Sequence, residues 1–140
     1  MPINIFNRQA KIRLGFALGA GFGRKFLLPL EKKLRLTKTS GYNIILLDDA
    51  GIKKLNKMYL GKNSPTDVLS FRYSACSADI FISLETAKAN AALYGQKFQA
   101  EFLRLIIHGI LHARGYTDYE RGKKEKMWKK QEGLLKCLHC

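Results

Sequence analysis

The feature that most constrains this chain is the stretch from His108 to Asp118, which reads H-x-x-x-H-x-x-G-x-x-D. Residues four apart on a helix share a face, so His108 and His112 would project together, one turn apart. Gly115 allows the helix to end, because glycine adopts the left-handed backbone conformation without steric cost. The chain can then turn back, and Asp118 can supply a third ligand while a fourth position stays open, as in catalytic zinc sites. The pattern therefore predicts one Zn²⁺ on His108, His112 and Asp118, which are also the predicted catalytic residues.

Two alternatives to this metal centre exist at the level of the sequence. Histidines spaced i, i+4 also arise by chance on packed or solvated helix faces, although the glycine and the third ligand at fixed offsets favour a metal site. Gly109 follows the first histidine, where H-E-x-x-H metallopeptidases carry the glutamate that acts as general base. A peptidase that uses this base is disfavoured, and another small zinc hydrolase remains as an alternative.

The charge balance predicts the class of partner. The chain has 140 residues, which we interpret as a single domain over residues 1–140, and carries 25 Lys and Arg against 11 Asp and Glu, a net charge of +14. An excess this large favours a polyanion, nucleic acid first and an anionic membrane second. A solvated basic surface without a partner is the alternative. The basic residues crowd the first 40 positions and the tail, and those of the N-terminal segment that we expect to contact nucleic acid are Arg8, Lys11 and Arg13.

The cysteines and one apolar stretch bear on localisation. Three cysteines in a chain of this size argue against a disulfide framework and fit a reducing cytoplasm. The tail motif Cys137-Leu-His139-Cys140 resembles half of a metal knuckle, but no second half exists, so we interpret it as incidental. The apolar stretch 14–23 is about half the length of a membrane span and does not have the form of a signal peptide. We therefore predict no membrane association.

The hydrophobic patterning predicts an α+β fold, in which a small mixed β-sheet packs with helices around a central metal-bearing helix. Glu101, two turns before His108, could face the metal site or water, and water is the default expectation, while Trp128 is expected to face inward with Met127. Asp48 or Asp49, and Ser83, are the expected helix N-caps. The expected strands are 3–6, 42–47, 67–73 and 79–83, and the expected helices are 12–36 (interrupted by glycines and Pro29), 49–59, 86–93, 99–113 and 119–138.

Four polar residues near two strand starts are candidate supports for the metal ligands. Thr66 and Asp67 belong to an S-P-T-D corner that runs into an apolar strand, Ser70 follows inside that strand, and Asp79 begins the next one. Such groups can orient a ligating histidine through its second ring nitrogen. Ser, Pro, Thr and Asp are also common turn residues, so plain turn chemistry is the alternative.

Arg114 and Tyr116, which flank Gly115, are candidate nucleic-acid contacts beside the predicted metal. Arginine offers bidentate hydrogen bonds to phosphate, and tyrosine offers a face on which a base can stack. Packing of Tyr116 into the core is the alternative.

Three motifs together carry a resemblance that covers nearly the whole chain. These are T-D-V-L-S-F at Thr66–Phe71, D-I-x-I-S at Asp79–Ser83 and H-G-x-L-H-x-x-G-Y at His108–Tyr116. The combination resembles the bacterial YbeY family. The resemblance implies a zinc-dependent, single-strand-specific endoribonuclease that acts in the cytoplasm on ribosomal RNA, particularly at the small-subunit 3′ end. It also implies single-stranded RNA and the ribosome as partners.

The chain departs from the family pattern at three positions. Asp118 stands where the family has a histidine as third ligand, Leu60 stands where it usually has arginine, and Ala78 stands where it usually has glycine. Carboxylate oxygen is an accepted zinc ligand, but its negative charge should weaken the Lewis acidity of the metal. These departures motivate a further alternative, a non-catalytic RNA- or ribosome-binding protein with the same fold.

Overall fold

The computed structural model describes residues 2–15 and 21–138. Its strands are β1 (Ile3–Asn7), β2 (Gly41–Leu47), β3 (Val68–Ser74) and β4 (Ser77–Ser83). Its helices are α1 (Leu28–Lys33), α2 (Asp49–Leu60), α3 (Leu84–Leu93), α4 (Phe98–Ala113) and α5 (Arg121–Cys137), with a π-helical turn at Gly23–Leu27 before α1.

The strands form one mixed sheet in the order β1-β2-β4-β3. Strands β1, β2 and β4 run parallel, and β3 pairs antiparallel with β4 through the short turn at residues 75–76. Strands β1 and β3 are therefore the two edges of the sheet. The predicted α+β fold with a small mixed sheet is confirmed.

The main core lies between α4 and one face of the sheet. Alternate strand residues point to this face, and Ile44 pairs with Ile80 in the parallel register of β2 and β4. Helix α4 packs on β3 and β4, while α3 and α5 flank it. This central position explains the broad apolar surface of α4, whose fully buried members include Phe102, Leu103, Ile106, Ile107 and Ile110.

Helix α2 packs on the opposite face of the sheet. Its Ile52 is buried, and its Tyr59 ring lies 5.3 Å from the ring of Phe71, which in turn lies 5.7 Å from Phe81. The two faces of β3 therefore have different neighbours, α4 on one side and α2 on the other.

The expected N-caps of α2 and α3 are confirmed by side-chain hydrogen bonds. The Asp48 carboxylate accepts a 2.8 Å hydrogen bond from the Gly51 amide, and the Ser83 hydroxyl accepts one of 3.3 Å from the Thr86 amide. Residues 16–20 of the expected long helix 12–36 lie outside the described residues. Among those that the structure describes, residues 14–15 are helical, the π-helical turn spans Gly23–Leu27 and α1 spans Leu28–Lys33, with Pro29 in the first turn of α1.

Two sequence interpretations fall partly outside the described residues. The apolar stretch 14–23 includes residues 16–20, and the tail motif includes residues 139 and 140, neither of which the structure describes. Within residues 2–15 and 21–138, no helix combines the length and apolar character needed to cross a bilayer.

Candidate metal centre and its cleft

The end of α4 brings the three predicted ligands together. The helix ends at Ala113, and Gly115, whose φ is +98°, then turns the chain. Its amide donates to the His112 carbonyl (3.1 Å), and the next amide, of Tyr116, donates to the Leu111 carbonyl (3.0 Å). This reversal satisfies terminal carbonyls and sends the chain back along the helix. Asp118 consequently lies beside the histidines.

The geometry of the three side chains suits a small metal ion. The candidate ligand atoms of His108, His112 and Asp118 all lie within 4.8 Å of one another, and His112 Nε2 is 3.6 Å from Asp118 Oδ2. A tetrahedral zinc site with bonds of 2.0–2.1 Å needs ligand atoms roughly 3.3 Å apart. Two imidazoles and one carboxylate are a donor set that zinc accepts, so the residues fit the ion after small side-chain movements.

A hydrogen bond from helix α5 fixes the ring of His108. His108 Nδ1 lies 2.7 Å from Oε1 of Gln131, which is buried. An amide oxygen only accepts, so Nδ1 is the donor in this hydrogen bond and Nε2 is the nitrogen left to serve as a metal ligand. This is the tautomer and the kind of partner that metal-binding histidines use.

A chain of polar contacts continues behind Gln131. Its amide group donates to Glu132 Oε2 (3.1 Å), and Arg104 donates two 2.9 Å hydrogen bonds to the Glu132 carboxylate. Arg104 Nη1 also donates to Glu101 Oε1 at 2.9 Å. Glu101 is only 4% exposed, so the expectation that it faces water is wrong. Burial raises the pKa of Glu101 above its ordinary value, although Arg104 opposes this effect.

The apolar spacing of α5 is a sequence pattern that could have identified Gln131 as a buried polar residue. Met127, Gln131, Leu134 and Leu135 are the buried residues of α5, with the spacing of a core-facing stripe. A glutamine within an apolar stripe needs a buried hydrogen-bond partner. That requirement points to a polar group on the neighbouring helix, here the half-buried His108.

His112 is held in its neutral form. Burial is the main cause that lowers its pKa, and the nearby His108 lowers it further, while Asp118 acts in the opposite direction. Only the neutral imidazole can bind a metal ion. His112 is therefore prepared to ligate at neutral pH.

Gly109 lets α4 approach the sheet closely. A Cβ atom at this position would lie 2.5 Å from Cγ2 of the buried Ile80, which is closer than such atoms can come. The Ser70 hydroxyl donates a 2.9 Å hydrogen bond to the Gly109 carbonyl. Ser70 thus fixes the backbone next to His108 instead of contacting a histidine ring.

The candidate ligands line a cleft of about 670 Å³ between α4 and β3. Thr66 and Asp67 lie in its wall, and the Thr66 hydroxyl is 3.5 Å from Asp67 Oδ1. Leu60 also lines the cleft. Lining residues that were not selected from the sequence include Lys62, Arg72 and Tyr119.

Asp79 lies away from this cleft. It pairs with Phe71 across β3 and β4, on the sheet face opposite to Ile80 and α4. Its carboxylate accepts hydrogen bonds from Tyr73 (2.5 Å) and Asn43 (3.1 Å). The expectation that Asp79 supports a metal-ligating histidine is corrected on this ground, because its contacts stabilise strand pairing.

The residues expected to contact nucleic acid lie in two separate places, and neither place is the cleft. Arg114 is exposed, and its Nη1 donates to the Leu34 carbonyl (3.0 Å), while Tyr116 is half-buried and packs against the core. Both lie outside the lining of the cleft.

The basic residues of the N-terminal segment are farther from the cleft. They follow β1, which is separated from β3 by three strand spacings, or about 14 Å, and they are Arg8, Lys11 and Arg13. Lys11 pairs there with Glu85 at 3.4 Å.

Comparisons with known proteins agree with the fold and with the motifs. The profile of the family described as Endoribonuclease YbeY matches residues 4–139. An Endoribonuclease YbeY of Petrotoga mobilis is 36% identical over 137 residues, covering 94% of this chain and 92% of the relative. One of Endomicrobium trichonymphae is 42% identical over 98 residues, 69% of this chain and 70% of the relative. The solution structure of TM1509 from Thermotoga maritima superposes with a TM-score of 0.66 at 28% identity, covering 97% of this chain and 88% of that one.

Proposed function

Because this chain belongs to the YbeY family of endoribonucleases, we propose that it is a metal-dependent endoribonuclease that cleaves single-stranded RNA. We propose Zn²⁺ as the metal, one ion per chain, held by His108, His112 and Asp118. The observation that carries the proposal is the convergence of these three side chains in the wall of an open cleft.

The residues around this centre hold the ion and orient its ligands, and each has a separate role. The chemistry that bound Zn²⁺ supplies is Lewis acidity, which lowers the pKa of water and polarises a phosphoryl oxygen. Gln131 accepts a hydrogen bond from Nδ1 of His108, so Nε2 is the nitrogen that would ligate the ion, and burial lowers the pKa of His112, which favours the neutral ring that a metal needs. Thr66 and Asp67 line the same cleft and add polar groups to its wall.

Two cationic side chains in the cleft serve the substrate phosphate. Lys62 and Arg72 line it, and both are exposed. Leu60 provides no charge at its position in the same wall. Arginine and lysine bind phosphate oxygens through charge-assisted hydrogen bonds, so these two residues position the scissile phosphodiester.

A second cationic region lies behind the loop that carries Asp118. Among the residues that the structure describes, the lining of a cavity of about 470 Å³ includes four cations and no acid: Lys33, Arg35, Arg114 and Lys130. Uncompensated positive charge in a concave surface attracts phosphate. This region binds the RNA backbone beyond the cleft, with Arg114 held in place by the Leu34 carbonyl. Arg8, Lys11 and Arg13 contact only longer RNA.

Single strands suit the cleft better than a duplex does, because a flexible strand can bring its phosphate to recessed ligands. Ribosomal RNA, at the small-subunit 3′ end, is the proposed substrate, and the ribosome the proposed partner, in the cytoplasm. The peptidase alternative is not supported, because Ile80 occupies the space that a side chain at position 109 would need.

The test is cleavage of an end-labelled single-stranded RNA from the small-subunit rRNA 3′ region. Full-length protein is assayed with zinc, with chelator, with chelator followed by zinc, and as His112→Ala. We expect products only with zinc present and His112 intact. Tight RNA binding without any product, in folded and zinc-loaded protein, would support the non-catalytic alternative and contradict the proposed activity.

A further inference from the structure

Trp128 does not lie where its sequence pattern predicts. It was expected inside with Met127, yet its side chain is 60% exposed. It shares a face of α5 with Gln131 and Glu132, three and four residues further on. Gln131 is the partner of His108. A large exposed aromatic ring thus stands one helical turn from the group that orients a candidate metal ligand.

Trp128 belongs to the lining of a second cavity, separate from the cleft. This cavity has a volume of about 380 Å³ and lies between α4, α5 and the C-terminal end of α3. It shares two residues with the cleft, His108 and Asp67. A ligand in this cavity would therefore adjoin whatever occupies the candidate metal centre.

The charges in this cavity disfavour a phosphate group. Asp67, Glu101 and Glu132 contribute three carboxylates, against one guanidinium, that of Arg104. Most Arg104 N–H groups are already engaged, with Glu132 through Nε and Nη2 and with Glu101 and Gln96 through Nη1, and these bonds also occupy part of the two glutamate carboxylates. The lining therefore offers a ligand mainly the acceptors of Asp67 and the remaining lone pairs of the glutamates, and its excess of carboxylates repels anions.

Aromatic side chains on two elements flank these acceptors. Trp128 is on α5, and Tyr94, 64% exposed, follows α3. Exposed aromatic rings beside hydrogen-bonding groups suit a flat, uncharged, nitrogen-rich ring. We propose that this cavity is a nucleobase subsite, which holds the base of the nucleotide next to the scissile phosphate; the inference rests on the endoribonuclease function proposed above.

The acceptor-rich lining also gives the subsite a preference. Carboxylates accept hydrogen bonds from exocyclic amino groups, which adenine, cytosine and guanine carry and uracil does not. Asp67 is placed at the junction of the two cavities and is the carboxylate least committed to Arg104. The subsite accordingly prefers an amino-bearing base over uracil.

Binding can be measured without cleavage, because Trp128 is the only tryptophan of the chain. Metal-free, full-length protein is titrated with adenosine, cytidine, guanosine, uridine and, as a phosphate control, ribose 5-phosphate. We expect saturable quenching of the tryptophan emission by the amino-bearing nucleosides, weaker quenching by uridine and none by ribose 5-phosphate. Quenching by ribose 5-phosphate, or no saturable quenching by any nucleoside, would overturn the inference.

Cleavage kinetics test whether the subsite serves the reaction. Trp128→Leu should lower kcat/KM for single-stranded RNA by about 5- to 150-fold, mainly through KM, which corresponds to the loss of one stacked base. Trp128→Tyr should restore most of the loss. Phe6→Leu removes a partly exposed aromatic ring at the far edge strand and should leave kcat/KM unchanged.

The outcomes separate this inference from the proposed function. If the wild type cleaves RNA and Trp128→Leu, shown to be folded, cleaves equally well, the subsite is wrong and the nuclease stands. If nucleosides quench but the wild type cleaves no RNA, the cavity binds bases and the proposed nuclease function fails.

Discussion

The two halves of the candidate metal centre are held in different ways. His108 and His112 project from a helix that lies in the middle of the core, and a buried glutamine orients the His108 ring. Asp118 follows the end of that helix on a loop and is 40% exposed, at 3.6 Å from His112. One half is therefore held by the packed core, whereas the other lies on an exposed loop.

The difference indicates where the free energy of metal binding arises. Ligands fixed by the core lose little conformational freedom on binding, whereas an exposed loop residue loses side-chain and backbone freedom that offsets part of its bond to the ion. We therefore expect the affinity to depend strongly on the helix and its supports, and less on Asp118. The following variants test this ranking.

The largest effect should come from the helix-borne ligands. His108→Ala or His112→Ala removes a neutral nitrogen donor and should weaken zinc binding by more than about 100-fold, which is more than removing a supporting partner costs. Chelator competition measures the affinity. Binding of unchanged affinity in either folded variant would contradict the assignment of these ligands.

The second-largest loss of zinc affinity should come from replacing Gln131, although this residue is not a metal ligand. Gln131→Leu leaves Nδ1 of His108 without a partner and should lower zinc affinity by about 10- to 100-fold. Gln131→Glu keeps an acceptor at the same place and should retain most of the affinity. If both variants bind zinc equally, the hydrogen bond from His108 contributes nothing to binding.

Loss of Asp118 should lower zinc affinity less than loss of a histidine ligand or of Gln131. Asp118→Ala should lower zinc affinity roughly tenfold, because ordering of an exposed loop residue offsets part of its contribution. Asp118→His supplies the residue type expected from the family and should bind more tightly than the wild type. A loss for Asp118→Ala as large as that for His112→Ala would break the proposed contrast between helix and loop.

A smaller effect, on stability, concerns the contact of α4 with the sheet. Gly109→Ala should destabilise the fold by about 1 kcal/mol net, because overpacking against Ile80 costs about 1–3 kcal/mol and helix propensity returns about 1 kcal/mol. Gly133→Ala in α5 has open space around its added methyl group and should instead be stabilising. Urea unfolding of both variants gives the comparison, and equal effects of the same sign would refute the close approach.

The smallest effect should be the pH dependence of the metal-free protein. The pKa of His112 lies below its ordinary value of 6.5 in the folded state, mainly because of burial. As pH falls below about 6.5, the unfolded chain takes up this proton first, so stability declines, whereas above that value His112 makes no difference. Unfolding at pH 7.5 and pH 5.5 measures the decline, which should be smaller in His112→Ala.

The sequence predicted those parts of the site that are close together along the chain. The spacing from His108 through Gly115 to Asp118 depends on helix geometry and one glycine turn, both of which are local. Asp48 and Ser83 were identifiable as caps for the same reason. The mixed sheet followed from the number and pattern of apolar segments.

Contacts between distant segments could not be predicted in this way. Gln131 meets His108 across 23 positions, and Glu101 is buried because Arg104 and Glu132 close over it. Trp128 is 60% exposed although the adjacent Met127 is buried, a difference that the apolar spacing of α5 alone does not reveal. Asp79 points away from α4 because of strand parity, which becomes certain only once the register with β3 is known.

The most direct test of the metal centre is X-ray absorption at the zinc edge of the full-length, zinc-loaded protein. The account predicts a shell of nitrogen and oxygen at about 2.0–2.1 Å that includes two imidazoles and no sulfur. The imidazole signal should fall in His112→Ala. A sulfur shell at about 2.3 Å, unchanged in that variant, would place the zinc on cysteines and contradict the assignment of His108, His112 and Asp118.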